Sequence, residues 1–117
     1  YCIDCRRPEP AEARCPECGG LVRPDVVWFG EMLPEATLEA AGMATERAEV
    51  FLSIGTSALV YPAAGLPLSA LRTGAYVAEF NVQPSAIADA VDEVVLGPAG
   101  ETLPRLVSAV REARGMV

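Results

Sequence analysis

Apolar and polar positions along the 117-residue chain fall into a few recognisable patterns. From residue 35 to 48, Leu38, Ala41, Ala44 and Ala48 recur at helical spacing. Pro34 stands where a first helical residue tolerates proline, so a helix is predicted over 35–48. Three short apolar runs follow: Glu49-Val50-Phe51-Leu52-Ser53-Ile54, Ala75-Tyr76-Val77-Ala78-Glu79-Phe80 and Glu93-Val94-Val95-Leu96. Each stops at small or hydrogen-bonding residues: Gly55-Thr56-Ser57, Asn81, and Gly97-Pro98-Ala99-Gly100. These runs predict strands. Residues 67–72 predict a short helix, with Pro67 in its first turn and Gly74 past its end. Residues 101–114 predict a terminal helix with Leu103, Leu106, Val107 and Val110 on one face.

Strands alternating with helices imply parallel pairing through crossovers, hence an α/β fold. A parallel sheet needs cover on both faces, and this chain supplies few helices for it. The sheet is therefore expected to be part of a larger one, or to pack against another chain. Residues 25–31 form one more run, apolar in the middle and polar at both ends. Residues 1–24 are too rich in cysteine, proline and glycine for regular helix. Two domains are expected: residues 1–24 as a metal-binding ribbon, and residues 25–117 as the sheet domain.

The cysteines change the picture most. All four lie in the first eighteen residues, as Cys2-x-x-Cys5 and Cys15-x-x-Cys18. Two such knuckles separated by a short loop have the ligand spacing of a structural zinc ribbon. With four sulfurs filling the tetrahedron, the metal has no open position and holds structure only. The alternative, disulfides, needs an oxidising compartment.

Composition narrows the function classes. The formal charge is −7, and four thiolates around one Zn²⁺ make it more negative still. Such a surface suits nucleic acid poorly. No apolar stretch has the length to span a bilayer, and the first residues show no signal-peptide pattern. Paired thiols without a signal imply a cytoplasmic location. The chain has no histidine, so it contains no Ser/His site and no His general base. Glu31 and Glu79 stand apart from other carboxylates and are expected to be solvated. Neither GxGxxG nor a P-loop is present.

Two places could bind a ligand. In open parallel sheets ligands sit outside the carboxyl ends of strands, where Thr56, Ser57 and Asn81 could hold phosphate or ribose; the same residues are also ordinary turn formers. The second place is Val27-Trp28-Phe29-Gly30-Glu31. Its glycine could mark close backbone approach by a peptide added edge-on as a strand, or Trp28 and Phe29 could be core residues.

Taken together, these segments resemble the C-terminal part of a sirtuin, an NAD-dependent protein-lysine deacylase, and most resemble the bacterial branch. The resemblance rests on the two CxxC pairs with Cys18-Gly19-Gly20, Arg23-Pro24-Asp25-Val26-Val27-Trp28-Phe29-Gly30-Glu31, Leu33-Pro34, Ile54-Gly55-Thr56-Ser57, Val60-Tyr61-Pro62-Ala63-Ala64, Glu79-Phe80-Asn81, and Gly97-Pro98-Ala99-Gly100-Glu101-x-Leu103-Pro104. It implies a Rossmann-like sheet, of which this chain is the C-terminal half, beside a small four-cysteine zinc ribbon. It implies that Cys2, Cys5, Cys15 and Cys18 hold structural Zn²⁺. It implies that Gly55, Thr56, Ser57, Asn81, Val82, Gln83 and Ala99 contact NAD, with Asn81, Val82 and Gln83 at the adenosine ribose and Ala99 by the adenine. It implies that Val27, Trp28, Phe29, Gly30 and Glu31 face Val60 and Tyr61 across an acyl-lysine peptide.

The family's Gly-rich phosphate loop, its Gln-Asn-x-Asp nicotinamide pocket and its catalytic His-Gly do not occur in these 117 residues. The resemblance thus implies part of an enzyme that transfers an acyl group to ADP-ribose and releases nicotinamide. Its expected partners are an acyl-lysine protein and the N-terminal half of the enzyme, and no catalytic residue is expected in this chain. The chain alone is expected to be inactive. The rival expectations are a non-enzymatic zinc-ribbon module that binds a peptide or protein, and a ribbon that binds metal alone.

Overall fold

A computed structural model describes residues 1–8 and 13–115. They form two compact units, Tyr1–Pro34 and Glu35–Val117. The boundary thus falls ten residues later than the sequence expectation, because residues 25–34 are tied to the ribbon by an Arg23–Glu31 ion pair.

The second unit runs α1 (Glu35–Glu46), β1 (Val50–Ile54), a single 3-10 turn (Ala63–Gly65), α2 (Leu66–Arg72), β2 (Tyr76–Asn81), β3 (Glu93–Leu96) and α3 (Ala99–Ala113). The sheet has the order β1-β2-β3, and both pairings are parallel. Val50 pairs with Tyr76 and Ile54 with Phe80. Ala78 pairs with Glu93 and Asn81 with Leu96. This register brings all three carboxyl ends to one edge of the unit. The central strand β2 is the most buried element, with Val77, Ala78, Glu79 and Phe80 almost wholly enclosed.

The core forms where β2 meets α2. Ala70, Ala75 and Val77 are fully or nearly fully buried, and Ala48, Phe51, Leu71 and Val91 pack against them. Small residues at 70 and 75 let the helix lie close to the strand. Pro67 sits in the first turn of α2, where its missing N–H costs no helical bond. Thr73 ends the helix, and Gly74 (φ 91) then turns the chain into β2. The last helix begins two residues before the sequence expectation. Pro98 is extended and caps it, and Ala99-Gly100 form its first turn.

Burial along β1 alternates. Phe51 and Ser53 are covered, whereas Val50, Leu52 and Ile54 are exposed. One face of this edge strand is therefore left to solvent, in keeping with a sheet that its own helices cover incompletely. Among the described residues no helix is long and apolar enough to cross a membrane.

The two faces of β1 and β2 should respond differently to truncation. Val77→Ala is expected to destabilise the sheet unit by about 2 kcal/mol, from lost burial plus a cavity. Leu52→Thr, on the open face, is expected to change stability by less than about 0.5 kcal/mol. Urea titrations followed by far-UV circular dichroism check both, and equal losses would contradict this assignment of the core.

Candidate functional site

In the first unit the chain wraps each cysteine pair in a tight turn. The N–H after the second cysteine returns to the carbonyl of the first: Arg6 N to Cys2 O at 3.1 Å, and Gly19 N to Cys15 O at 2.9 Å. This closure puts both residues in the left-handed region, with φ 61 at Arg6 and 71 at Gly19. Glycine adopts it freely, whereas a side chain resists it by about 1–2 kcal/mol. An Arg7–Glu17 ion pair links the knuckles, and Arg14 Nη1 donates to Gly19 O at 3.0 Å. Cys2 bridges to Val22, and Arg14 to Leu21.

The four sulfurs lie within 4.8 Å of one another. Cys2 Sγ is 3.5 Å from Cys18 Sγ, and Cys5 Sγ is 3.7 Å from Cys15 Sγ. A disulfide requires about 2.05 Å. Four sulfurs each about 2.3 Å from a common centre stand about 3.8 Å apart, and the observed spacing matches that second arrangement. The cluster is electrostatically awkward without a cation. The N–H of Cys5, more than any other contact, lowers the Cys2 thiol to about 7. The Cys18 thiol receives a similar lowering from the Gly20 N–H, but the Cys2 and Cys5 sulfurs outweigh it and push the group up to about 12. A divalent cation at the centre removes that conflict. Gly20 keeps the space open: a Cβ there would collide with the Asp4 carboxylate and stand 3.0 Å from Cys2 Sγ.

The segment after the ribbon is held by a single arginine. Arg23 Nη1 and Nη2 donate to the two oxygens of Glu31 at 2.8 and 2.9 Å, and Nη2 also reaches Val26 O at 3.0 Å. Its guanidinium lies 4.2 Å from the centre of the Trp28 ring, a favourable stacking distance. Glu31 also accepts the Trp28 N–H at 3.1 Å, and its own N–H returns to Trp28 O at 3.0 Å. Residues 28–31 are therefore a turn, with Gly30 (φ 88) at the position that requires positive φ.

Two sequence expectations change here. Gly30 also serves the turn, and a Cβ there would meet no atom of this chain within 4 Å. Phe29 stands at the tip with 91% of its surface exposed, and Trp28 is half exposed, so neither is a core residue. Glu31, expected to be merely solvated, is bidentate to Arg23. The same cleft side, lined by Arg6, Arg23, Val26, Val27, Glu31 and Met32, encloses about 530 Å³.

In the second unit the strand ends converge on Asn81. Its Nδ2 donates to Thr56 O at 2.8 Å and to Glu79 Oε1 at 3.2 Å, and its Oδ1 accepts the Val82 N–H at 2.9 Å. Its backbone carbonyl accepts the Gly97 N–H at 2.9 Å. One residue thus joins the carboxyl ends of β1, β2 and β3. Gly55 (φ 62) turns the chain out of β1, and Ala58, buried, also holds a positive φ of 54. The N–H groups of Thr56 and Ser57 have no acceptor among the described residues. Gly55, Thr56, Ser57, Asn81, Gln83 and Ser85 line a cleft of about 280 Å³. Exposed N–H groups and hydroxyls at parallel strand ends are suited to phosphate and ribose.

Not every residue singled out in the sequence reaches this cleft. Val82 and Ala99 do not line it. Val82 is exposed and Ala99 begins α3. Val60 and Tyr61 lie exposed in the loop after β1. Glu79, also expected to be solvated, is 1% exposed. Burial with Asn81 and the Ser85 N–H, which it accepts at 2.9 Å, replaces its water. Alternation along β2 puts Glu79 and Asn81 on one face, and that was the available signal.

A parallel sheet with a polar cleft at its strand ends, in a chain that also carries four cysteines gathered as in a zinc ribbon, defines a Rossmann-like α/β protein with a small four-cysteine module. The chain belongs to the Sir2 family, whose profile matches residues 3–62. It is 51% identical over 98 residues to an NAD-dependent protein deacylase of Pyrococcus furiosus, covering 84% of this chain and 39% of that protein. Among solved structures, a Sir2 homologue in complex with ADP-ribose superposes with a TM-score of 0.85 at 40% identity, over 99% of this chain and 50% of that one. Sir2Af2 bound to a myristoylated histone peptide superposes at 0.81 with 39% identity, over 89% of this chain and 44% of that one. The chain spans about two fifths of the curated relative's length.

Arg23 holds the Glu31 carboxyl at about 2, well below its ordinary 4.5, and the Trp28 N–H adds to the effect. The folded value lies below the unfolded one. The clasp therefore contributes stability above about pH 4.5 and loses it as pH falls toward 2. The single tryptophan reports this directly. Trp28 emission is expected to shift between pH 4.5 and 2, and Glu31→Gln is expected to show the shifted spectrum already at pH 7. An unchanged spectrum in Glu31→Gln would contradict the clasp.

Proposed function

We propose that this chain forms the zinc-ribbon and cofactor-cradling part of an NAD-dependent protein-lysine deacylase. The observation that carries the reading is the meeting of Gly55, Thr56, Ser57 and Asn81 at one cleft on the carboxyl edge of a parallel sheet, in a chain of the Sir2 family. The Thr56 and Ser57 N–H groups serve the phosphates of the dinucleotide, and Asn81 serves its adenosine ribose. NAD, when bound, would supply the ribose carbon that the acyl oxygen attacks and nicotinamide as the leaving group. The residues that extract a proton for that step are not in this chain, since it has no histidine. A polypeptide carrying the family's Gly-rich loop and His-Gly completes the enzyme.

The substrate is an acyl-lysine segment of a protein. The relatives named deacylases and the complex of Sir2Af2 with a myristoylated histone peptide support that class. Phe29, held out at a turn by the Arg23–Glu31 clasp, offers an apolar face to the acyl chain. Zinc fills the four-sulfur cage and takes no part in the reaction, because sulfur occupies every ligand position. A reducing compartment such as the cytoplasm keeps the thiolates available to it.

Two measurements test this reading. The purified chain is expected to bind ADP-ribose saturably, and Asn81→Ala to weaken that binding about tenfold through the loss of about 1.4 kcal/mol. The chain is expected to show no NAD-dependent deacylation by itself. Absence of ADP-ribose binding would leave the non-enzymatic module as the better account, and deacylation by the chain alone would contradict the division of roles.

The metal has its own test. Reduced protein is expected to carry one zinc per chain by native mass spectrometry. Chelation, Cys15→Ser or Gly20→Ala is expected to lower zinc retention and to raise hydrogen exchange first in residues 1–34. Two zincs per chain, or none, would contradict the site.

A further inference from the structure

Glu79 is the most completely enclosed ionisable residue of the sheet unit, and it takes no part in the roles assigned above. A carboxylate at the centre of a buried strand costs several kcal/mol unless its lone pairs are matched. Oε1 is matched twice, by Asn81 Nδ2 at 3.2 Å and by the Ser85 N–H at 2.9 Å. Oε2 and the hydroxyl of Ser53 are both buried without a partner among the described residues. Ser53 and Glu79 are register partners on adjacent parallel strands, about 4.8 Å apart. Ser53 makes no direct bond to the carboxylate, so it is the donor placed to complete it through one bridging water.

We infer that Glu79 is a positioning residue that, together with the Thr56 carbonyl and the Val82 N–H, fixes which end of the Asn81 carboxamide faces the ligand. The inference rests on the cofactor reading above. A carboxamide has one accepting end and one donating end, and it can turn over. Glu79 Oε1 and Thr56 O both accept only, and both face the same end of Asn81. The NH₂ group must therefore point inward between them. The oxygen is left at the other end, with one lone pair taken by the Val82 N–H and one remaining for a ligand hydroxyl. The second bond to Glu79, from the Ser85 N–H, anchors the loop whose residues 83–86 also line the cleft. A ribose, whose hydroxyls donate readily, is the ligand group that this orientation favours.

The experiment separates this role from mere support of the fold. Glu79→Met keeps the volume but removes both acceptor bonds. Relief of the unpartnered buried Oε2 offsets the orphaning of the Ser85 and Asn81 N–H groups, so its melting temperature is expected to stay within a few degrees of wild type. Its affinity for ADP-ribose is expected to fall about tenfold. Glu79→Gln retains an acceptor oxygen and can donate to Ser53, so it is expected to keep both stability and affinity near wild type. Equal affinity in the Met and wild-type proteins would overturn the inference, as would affinity and stability falling together in both variants.

A second readout needs no ligand and stays decisive if wild type fails to bind ADP-ribose, a result that counts against the cofactor reading itself. Ser85 N–H exchange and the side-chain amide signals of Asn81 in NMR spectra are expected to change in Glu79→Met and to persist in Glu79→Gln. Protected Ser85 and unmoved Asn81 signals in Glu79→Met would overturn the positioning role whatever the ligand result. If Glu79→Met does not fold, Glu79→Gln decides the matter, since altered Ser85 and Asn81 signals in that conservative variant would also overturn it.

Discussion

The ribbon unit has almost nothing apolar to fold around. Within its described residues the buried positions are Cys2, Cys15 and Gly20, while Ile3, Leu21, Val26, Trp28, Phe29 and Met32 stand substantially exposed. Units of this size seldom hold together on burial alone. Four sulfurs at tetrahedral spacing therefore carry the unit, and a metal there can contribute about 10–16 kcal/mol of folding free energy in comparable small zinc modules. Every other local feature serves that spacing. The returning N–H groups of residues 6 and 19 close the knuckles, Gly20 clears room for Cys2, and the Arg7–Glu17 pair joins the turns.

The sheet unit is specified differently. Its core is the small hydrophobic contact of α2 on β2, and its polar interior is a network centred on Asn81 and Glu79. Small residues at 70 and 75 bring helix and strand close, and the strand carries a carboxylate two residues before its end. That combination places the cost of a buried charge directly beneath the cleft. Apolar packing sets the position of β2, and the carboxylate sets the orientation of the groups at its tip. The two requirements meet on alternate residues of one strand face, Val77, Glu79 and Asn81.

What could be read from the sequence follows from these two modes of specification. A candidate metal-ligand set has a fixed spacing, so the CxxC pairs were legible at once, and the four sulfurs do gather. The strands were placed to within a residue because apolar runs ending in Gly, Ser or Asn leave few alternatives. The positive φ of Gly19 was legible from its residue type, but the matching φ of Arg6 was not, since nothing local marks an arginine forced into that region. The domain boundary moved to residue 34 because an Arg–Glu pair eight residues apart leaves no periodic signal. Glu79 looked like an isolated carboxylate because one partner, Ser85, becomes a neighbour only when the loop after β2 folds back, although strand alternation already put Asn81 on its face.

The uncovered surface of β1 bears on the proposed role. Val50, Leu52 and Ile54 project from one face of an edge strand and remain exposed, and a cleft of about 340 Å³ between β1 and residues 56–67 is lined by Leu52, Ile54, Ala58, Val60, Ala64 and Pro67. Parallel strands are ordinarily enclosed on both faces, and an open apolar edge invites another strand. A net charge of −7 opposes self-association of such a surface through repulsion without supplying the missing packing. On the proposed reading, a polypeptide that brings the Gly-rich loop would also cover this face.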